Sequence, residues 1–521
     1  MMLISCNSAP DSSDKKIIRF NSATGITSLD PAFARTQENI RAVNQLFNGL
    51  VELDSQLNIS PAIAKSWSIS EDAKTYTFVL NNEVFFHNDP KIPLIDERVT
   101  ATDFEYSFYR IIDKKTASDG AWIFNDIVNP KDAFKALNDT VFQINLKKPY
   151  APLLNLLTMA YCYVVPQKAV EFYGNSFGKN PVGTGPFQFA NWSEGIKLNF
   201  IKNENYFESK PDHPIPLIDA ISITFNQSKQ TELLHFFQGN LDLFNGIESS
   251  FKDEILTPNG KLNPKYVHNF ELQKNPFLNT EYLAFNMEDS MSPVCDVNFR
   301  KAIHHAIDRE TMIDYLRNGI GKSPNGGFSP RGLPAHVKSD ETMYNLELAQ
   351  EYLSKCSIKQ TKPLQLTTTS NYLDLCILVQ NNCAKIGIQI SINVVPASLL
   401  KQSKSTGELS FFRSSWIADY PDGENYMACF YGPNKAPNGP NYTRFSNHQF
   451  DTYYTQLINT TDLKKRKELY QSMEKLLAKE QPFVLLYYDE SIWIKNNKVS
   501  GIRINALNHL DLRNANILSL E

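Results

Sequence analysis

Apolar positions along the chain recur with two periods, one near 3.6 residues and one of 2, which predicts helices and strands in alternation. Ile17-Ile18-Arg19-Phe20 gives the first β signal, and Ile40, Val43, Leu46, Phe47 and Leu50 share one helical face. Thr75 to Leu80 and Val84 to Phe86 predict two strands. Thr102-Asp103-Phe104-Glu105 has the form of a capping box and opens a helix with Phe104, Phe108, Ile111 and Ile112 on its apolar face. Asp296 caps a second helix carrying Phe299, Ile303, Ala306 and Ile307. Residues 364–395 read as a β-α-β unit. Leu364 to Thr369 is its first strand, Tyr372 to Ile386 a helix stopped by Gly387, and Ile388, Ile390, Ile392 and Val394 alternate as a half-buried strand. Asp462 to Lys479 forms a long charged helix, followed by the apolar strand Phe483 to Tyr488. This alternation predicts α/β lobes.

Composition narrows the class. The 521 residues suggest about three domains of roughly 150 residues each. With 42% hydrophobic and 12% aromatic residues, the chain can build a sizeable core and is not a disordered acidic polymer. Lys and Arg (52) nearly balance Asp and Glu (56), a net charge of −4 that argues against a dedicated nucleic-acid binder. No apolar run approaches a membrane span.

Motifs for catalysis fail in their context. Gly174-Asn175-Ser176-Phe177-Gly178 matches a serine-hydrolase elbow, but that motif needs a strand before the serine and a helix after it. Here Gln167 to Tyr173 reads as a helix, and Lys179-Asn180-Pro181 starts none. Gly321-Lys322-Ser323 resembles the end of a phosphate-binding loop, yet Leu316 stands where the loop needs glycine. His304 and His305 are neighbours, about 100° apart on a helix, unlike the i,i+4 pair of a zinc helix. Cys162, Cys295, Cys356, Cys376, Cys383 and Cys429 show no framework spacing. Cys376 and Cys383 would lie roughly 10.5 Å apart on one helix, too far for a disulfide. No metal site, cofactor or catalytic constellation is expected.

The start is distinctive. Leu3-Ile4-Ser5-Cys6 resembles the lipobox of a bacterial lipoprotein, in which Cys6 would carry the lipid. The stretch before it is too short for a signal peptide's apolar region, so most of that signal would be missing from this chain. The polar segment behind Cys6 reads as a tether ending near residue 16.

Several further segments, taken in order, resemble the extracellular solute-binding proteins of family 5, the peptide- and oligopeptide-binding components of ABC importers. They are Ser28-Leu29-Asp30-Pro31, Pro61-Ala62-Ile63-Ala64-Lys65-Ser66-Trp67 and Tyr76-Thr77-Phe78-Val79-Leu80. Pro181-Val182-Gly183-Thr184-Gly185-Pro186-Phe187 resembles the most specific signature. Val297-Asn298-Phe299-Arg300-Lys301-Ala302-Ile303 and Ser415-Trp416-Ile417-Ala418-Asp419-Tyr420-Pro421-Asp422 match two later blocks.

The resemblance implies a two-lobe periplasmic-binding-protein type II-like α/β fold with a hinge and an inserted subdomain. A tether would occupy 1–16, lobe I 17–43, 182–278 and 486–521, the inserted subdomain 44–181, and lobe II 279–485. Crossings near Lys274 to Asn279 and Pro482 to Tyr487 would form the hinge. It implies capture of short peptides in the interlobe cleft by a monomer. The other partners would be ABC permease and ATPase subunits, with no nucleic acid and no membrane contact beyond a lipid anchor. Location would be the periplasm or cell envelope.

By the same resemblance Asp419 anchors the ligand's α-amino group, since a buried unpaired charge is very unfavourable. Trp416 packs on the first side chain, and the backbones of Ser415 and Ile417 pair with an extended ligand. Arg413 matches a position that can meet the ligand's carboxylate, or it pairs elsewhere on the surface. Trp122, Asn441 and Tyr442 are further pocket candidates, each also explicable as packing. Asp419 has an alternative as a turn residue, although Asp422-Gly423 is the better turn dipeptide. The alternatives for the whole chain are the same fold with a nickel chelate, haem or sugar as cargo, or a serine hydrolase using Ser176.

Overall fold

The computed structural model describes residues 15–92, 97–248, 250–338 and 343–518. Cys6 and nearly all of the expected tether lie outside the described residues. Three larger sheets organise the described chain into a two-lobe α/β fold.

The first sheet joins distant parts of the sequence. Strand Ile17–Asn21 runs parallel to Ala220–Thr224, with Ile17 opposite Ala220, and antiparallel strands Lys197–Lys202 and Phe187–Ser193 complete it. The second sheet is antiparallel, in the order Ala64–Ile69, Thr75–Leu80, Val141–Asn145, Phe134–Asn138. Tyr76, Phe78 and Leu80 alternate inward, as the period of 2 requires. Helix Ala101–Ile112 covers this sheet, and its Phe108 ring lies 5.3–5.4 Å from those of Phe124, Phe134 and Phe142. One apolar cluster runs from Ile18 and Phe187 through Phe108 to Leu512, so both sheets share a core.

Two local expectations need correction. The capping box stands at Thr100 and Asp103, where one carboxylate oxygen of Asp103 accepts from both the N–H and the hydroxyl of Thr100 at 2.8 Å. Glu105, which the expected box required, instead accepts the Ala136 N–H at 2.6 Å and ties the helix to the sheet. Val84 and Phe86 are buried, but this segment makes only the isolated bridge Phe85–Arg98 and no strand. Its apolar alternation is genuine; it meets residues 97–99 through two backbone hydrogen bonds, Phe86 N–H to the Glu97 carbonyl and Val99 N–H to the Val84 carbonyl, each 2.9 Å, and the pairing is too short for a strand.

The third sheet has six strands in the order Leu243–Asn245, Phe483–Asn496, Phe270–Phe285, Phe411–Ile417, Leu364–Thr368, Ile390–Val394. The β-α-β unit forms its far edge, with parallel strands and helix Leu373–Ala384 between them; the chain turns at Gly387 with φ +88°. The helix starts one residue later and stops two earlier than its periodicity suggests. Strands Phe270–Phe285 and Phe483–Asn496 are long and pair from Phe270–Asn496 to Ala284–Phe483. Their ladder is irregular between Pro276 and Thr280 and again between Glu281 and Tyr282. Pro276 has no N–H to donate, which suits an interruption there. One end of the pair packs with Phe236 and Phe244, the other with Tyr282, Phe328 and Phe483 in a separate cluster. Helix Leu463–Glu480, capped by Asp462, closes that second cluster through Leu469, Met473 and Leu477.

Candidate functional site

The site begins with an incomplete strand. On one side Phe411–Ile417 pairs antiparallel with Phe270–Phe285, from Phe285–Phe411 to Asn279–Ile417. On the other it pairs with Leu364–Thr368 only through Phe411 and Phe412. From Arg413 onward this second edge has no strand partner among the described residues. The Ala418 N–H donates to the Leu278 carbonyl at 2.9 Å. Peptide groups alternate in direction along an antiparallel strand, so Ser414 and Trp416 also face Phe270–Phe285, whereas Ser415 and Ile417 turn theirs to the open edge.

Asp419 lies just past this strand. Asn425, on the short helix Glu424–Met427, fixes it: the Asn425 amide donates to Asp419 Oδ2 at 3.4 Å. The Asn425 carbonyl oxygen accepts from the Asp419 N–H at 3.3 Å and from Trp416 Nε1 at 2.9 Å. One buried amide therefore holds both the tryptophan and the aspartate. Water reaches the Asp419 side chain, yet protein crowds round it, and this desolvation raises its pKa above the ordinary aspartate value. Among the described residues no cation acts on it.

Asp422, three positions on, contrasts with it. Both its oxygens accept from Arg466 Nη2 at 2.7 Å, Tyr470 donates at 2.5 Å, and Asn155 donates at 3.3 Å. It is 9% exposed and also accepts the Glu424 N–H at 2.9 Å. Asp422 is thus the turn carboxylate that the Asp-Gly dipeptide suggests.

The remaining candidates divide. Trp122 opens helix Trp122–Asn125, is 46% exposed, and stacks on Tyr420 with ring centroids 6.4 Å apart. It therefore meets the Asp419 loop from the segment between helix Ala101–Ile112 and strand Phe134–Asn138. Tyr161 approaches from the same direction: burial, then Asp119, then Asp419 raise its phenol pKa. Tyr442 is half-buried, with Lys404 Nζ 4.3 Å from its ring centre. Asn441 is fully buried. Its amide donates to the Tyr431 and Phe445 carbonyls, and its oxygen accepts from Thr443 Oγ1 and the Phe445 N–H. Those four bonds fill its capacity and leave nothing for a ligand. Arg413 is not a surface residue: it is 8% exposed and donates from Nη2 to Glu281, itself 1% exposed. Tyr372 covers the guanidinium, its ring centre 3.2 Å from Cζ.

Sequence reasoning missed Asn425, Glu281 and Lys404. Lys404 donates to Ser414 Oγ at 3.3 Å, and its pKa is lowered to about 8 by burial and by Arg413 and Lys401 nearby. Ser176 is exposed on a 3-10 turn after helix Gln167–Tyr173, with no strand leading into it.

Comparison with known proteins gives a consistent result. The chain is 24% identical to the dipeptide-binding protein DppE of Bacillus subtilis, over 96% of this chain and 92% of the relative. It is 25% identical to heme-binding protein A of Haemophilus influenzae, over 84% of this chain and 81% of that protein. Its fold is similar to that of the periplasmic binding protein DppA from Helicobacter pylori, solved with the peptide STSA. The TM-score is 0.76 at 23% identity, over 96% of this chain and 98% of that one. Residues 58–438 match the description "Bacterial extracellular solute-binding proteins, family 5 Middle". The chain belongs to the family 5 bacterial extracellular solute-binding proteins.

Proposed function

We propose that this protein is the substrate-binding component of an ABC importer that captures short peptides between its lobes and delivers them to a membrane permease and its ATPase. The observation that carries the reading is the open edge at Ser415 and Ile417 beside a carboxylate, Asp419, on which no cation acts. An extended peptide laid on this edge forms main-chain hydrogen bonds that read no side chains. Its α-ammonium group then meets Asp419, while Trp416 and Trp122 offer apolar faces to its first residues. Tyr442 lines the same region from lobe II. Main-chain pairing with one charged anchor suits a carrier of many sequences.

The domain boundaries at 17–43, 182–278 and 486–521 for lobe I, 44–181 for the inserted subdomain and 279–485 for lobe II belong to this proposal. So do a hinge at the irregular ladder between Pro276 and Thr280, a monomeric state, and lipid anchoring through Cys6 in the cell envelope. Contacts from the inserted subdomain to lobe II support a closed arrangement: the Ala151 N–H donates to the Ile458 carbonyl at 2.9 Å, and Asn155 donates to Asp422.

Replacement of Asp419 by alanine tests the reading. It is expected to weaken binding of free-amine peptides by about 100-fold, as loss of one partner of a desolvated charge pair does, while the melting temperature holds. Unchanged affinity in a folded variant would refute the anchor. A second reading, a haem-type cargo, draws support from the heme-binding relative. Haem carries carboxylates and no amine, so the same substitution would then leave affinity equal or improve it.

A further inference from the structure

Glu424 is a buried carboxylate that the peptide reading leaves unused. It is 2% exposed, its two oxygens accept from the Tyr420 and Tyr454 hydroxyls, and no cation pairs with it among the described residues. The groups that face it come from several parts of the fold. Its own loop brings Tyr420 and Asp422, the turn Ala428–Phe430 brings Cys429, and helix His448–Asn459 brings Tyr454. Helix Leu463–Glu480 brings Arg466 and Tyr470. Arg466 is the cation of this set, and its Nη2 is spent on both oxygens of Asp422 at 2.7 Å. Tyr150 faces Glu424 from the inserted subdomain.

The cover over this cluster crosses between the lobes. Tyr150 is half-buried and packs against both the first apolar cluster and that of Tyr282 and Phe328. Trp122 stacks on Tyr420, and Asn155 donates to Asp422 Oδ2 at 3.3 Å. All three belong to 44–181, whereas Glu424 belongs to 279–485. Parting the lobes lifts them off and lets water reach Tyr420 and the carboxylate behind it; closing the lobes removes that water. Desolvation disfavours a carboxylate that has no cation, whereas a neutral carboxyl keeps both tyrosines by donating to one and accepting from the other. We propose that peptide capture takes up a proton: closure of 44–181 over the Tyr420–Glu424 loop protonates Glu424, so the protein holds its cargo more tightly in acid. In the closed arrangement burial raises the pKa of Glu424 to about 7. The added hold is therefore fully present below the open-state value and is lost as pH rises through about 7. The inference rests on the peptide reading and the lobe division above.

The test is calorimetric titration of the full protein with trialanine, trileucine and trilysine in turn. Buffers of different ionisation enthalpy at one pH near 6.5 count the protons exchanged on binding. Asp419 and the ligand's ammonium also exchange protons, but they do so alike in wild type and in Glu424→Gln, whose amide is neutral at every pH. Wild type is expected to take up about 0.5 proton more than Glu424→Gln, and its affinity to fall about tenfold relative to the variant's between roughly pH 5.5 and 7.5. Equal proton exchange in the two folded proteins would overturn the inference while leaving the peptide reading standing. Binding of none of the three peptides by the wild type would overturn the peptide reading and this inference with it. Tyr150→Ala removes part of the cover and leaves Glu424 in place, so it is expected to take up fewer protons than wild type by about 0.2 or more. A wild-type proton count in Tyr150→Ala would show that Glu424 serves lobe II alone and would overturn the inference; this variant decides if Glu424→Gln does not fold.

Discussion

Asp419 and Arg413 belong to one strand and the loop that follows it, and the fold treats their charges in opposite ways. Arg413 is enclosed with a counter-ion under an aromatic ring. Asp419 is held by a neutral amide and has no cation partner among the described residues. The difference follows from which groups surround each side chain. Strand Phe270–Phe285 brings Glu281 to Arg413, whereas helix Glu424–Met427 offers Asp419 only Asn425. A binding surface is identified here by the charge that the fold leaves uncompensated, since a compensated one has nothing to gain from a ligand.

The contrast can be broken from either side. Asp419→Ala is expected to have the largest effect on binding, as given above, and little on stability. Arg413→Leu or Glu281→Leu should do the reverse and destabilise the fold by about 3–5 kcal/mol, because each strands a buried charge. The double replacement should recover most of that loss in thermal or urea unfolding. Single variants that melt like the wild type would show that the pair is not buried in solution.

Asn425→Ala separates positioning from charge. It removes the amide that holds both Trp416 and Asp419, so affinity should fall by roughly tenfold, with the anchor carboxylate still present. Calorimetry on this variant should also show a more unfavourable binding entropy, because Asp419 must then be ordered by the ligand. Affinity equal to wild type would remove Asn425 from the account.

The smallest effect concerns Glu424, which flanks the site. It is buried, accepts from the Tyr420 and Tyr454 hydroxyls, and has its pKa raised to about 7 by burial. The folded state therefore holds this proton more tightly than the unfolded chain. Its contribution to stability is fully present below the ordinary glutamate value near 4.5 and is lost as pH rises through about 7. Glu424→Gln should flatten that part of the stability profile, a difference on the order of 1–3 kcal/mol between pH 5 and pH 8. A variant whose melting temperature keeps the wild-type pH slope would contradict the assignment.

Much of this architecture is legible in the sequence because it is written in local periodicity. The β-α-β unit at 364–395, the Asp296 and Asp462 caps and the Thr75–Leu80 strand all depend on residues within one element. The Val84–Phe86 segment shows the limit, because alternation reports burial and not how far pairing with its neighbour at 97–99 extends. In the site, Asp419 and Trp416 carry a recognisable block, but their fastener Asn425 has no pattern of its own. Glu281 is further out of reach: it lies on a strand far from Arg413 in the chain, and only the register Leu283–Arg413 brings their side chains together. Asn441 illustrates the converse, a residue in a suggestive block whose four bonds all stay inside its own loop.

The central claim is that a free amino end is what Asp419 reads. Calorimetric titration of the wild-type protein with one bound peptide, in its free-amine and N-acetylated forms, tests it most directly. The account predicts that acetylation weakens binding by about 100-fold; equal affinity for the two forms would contradict it.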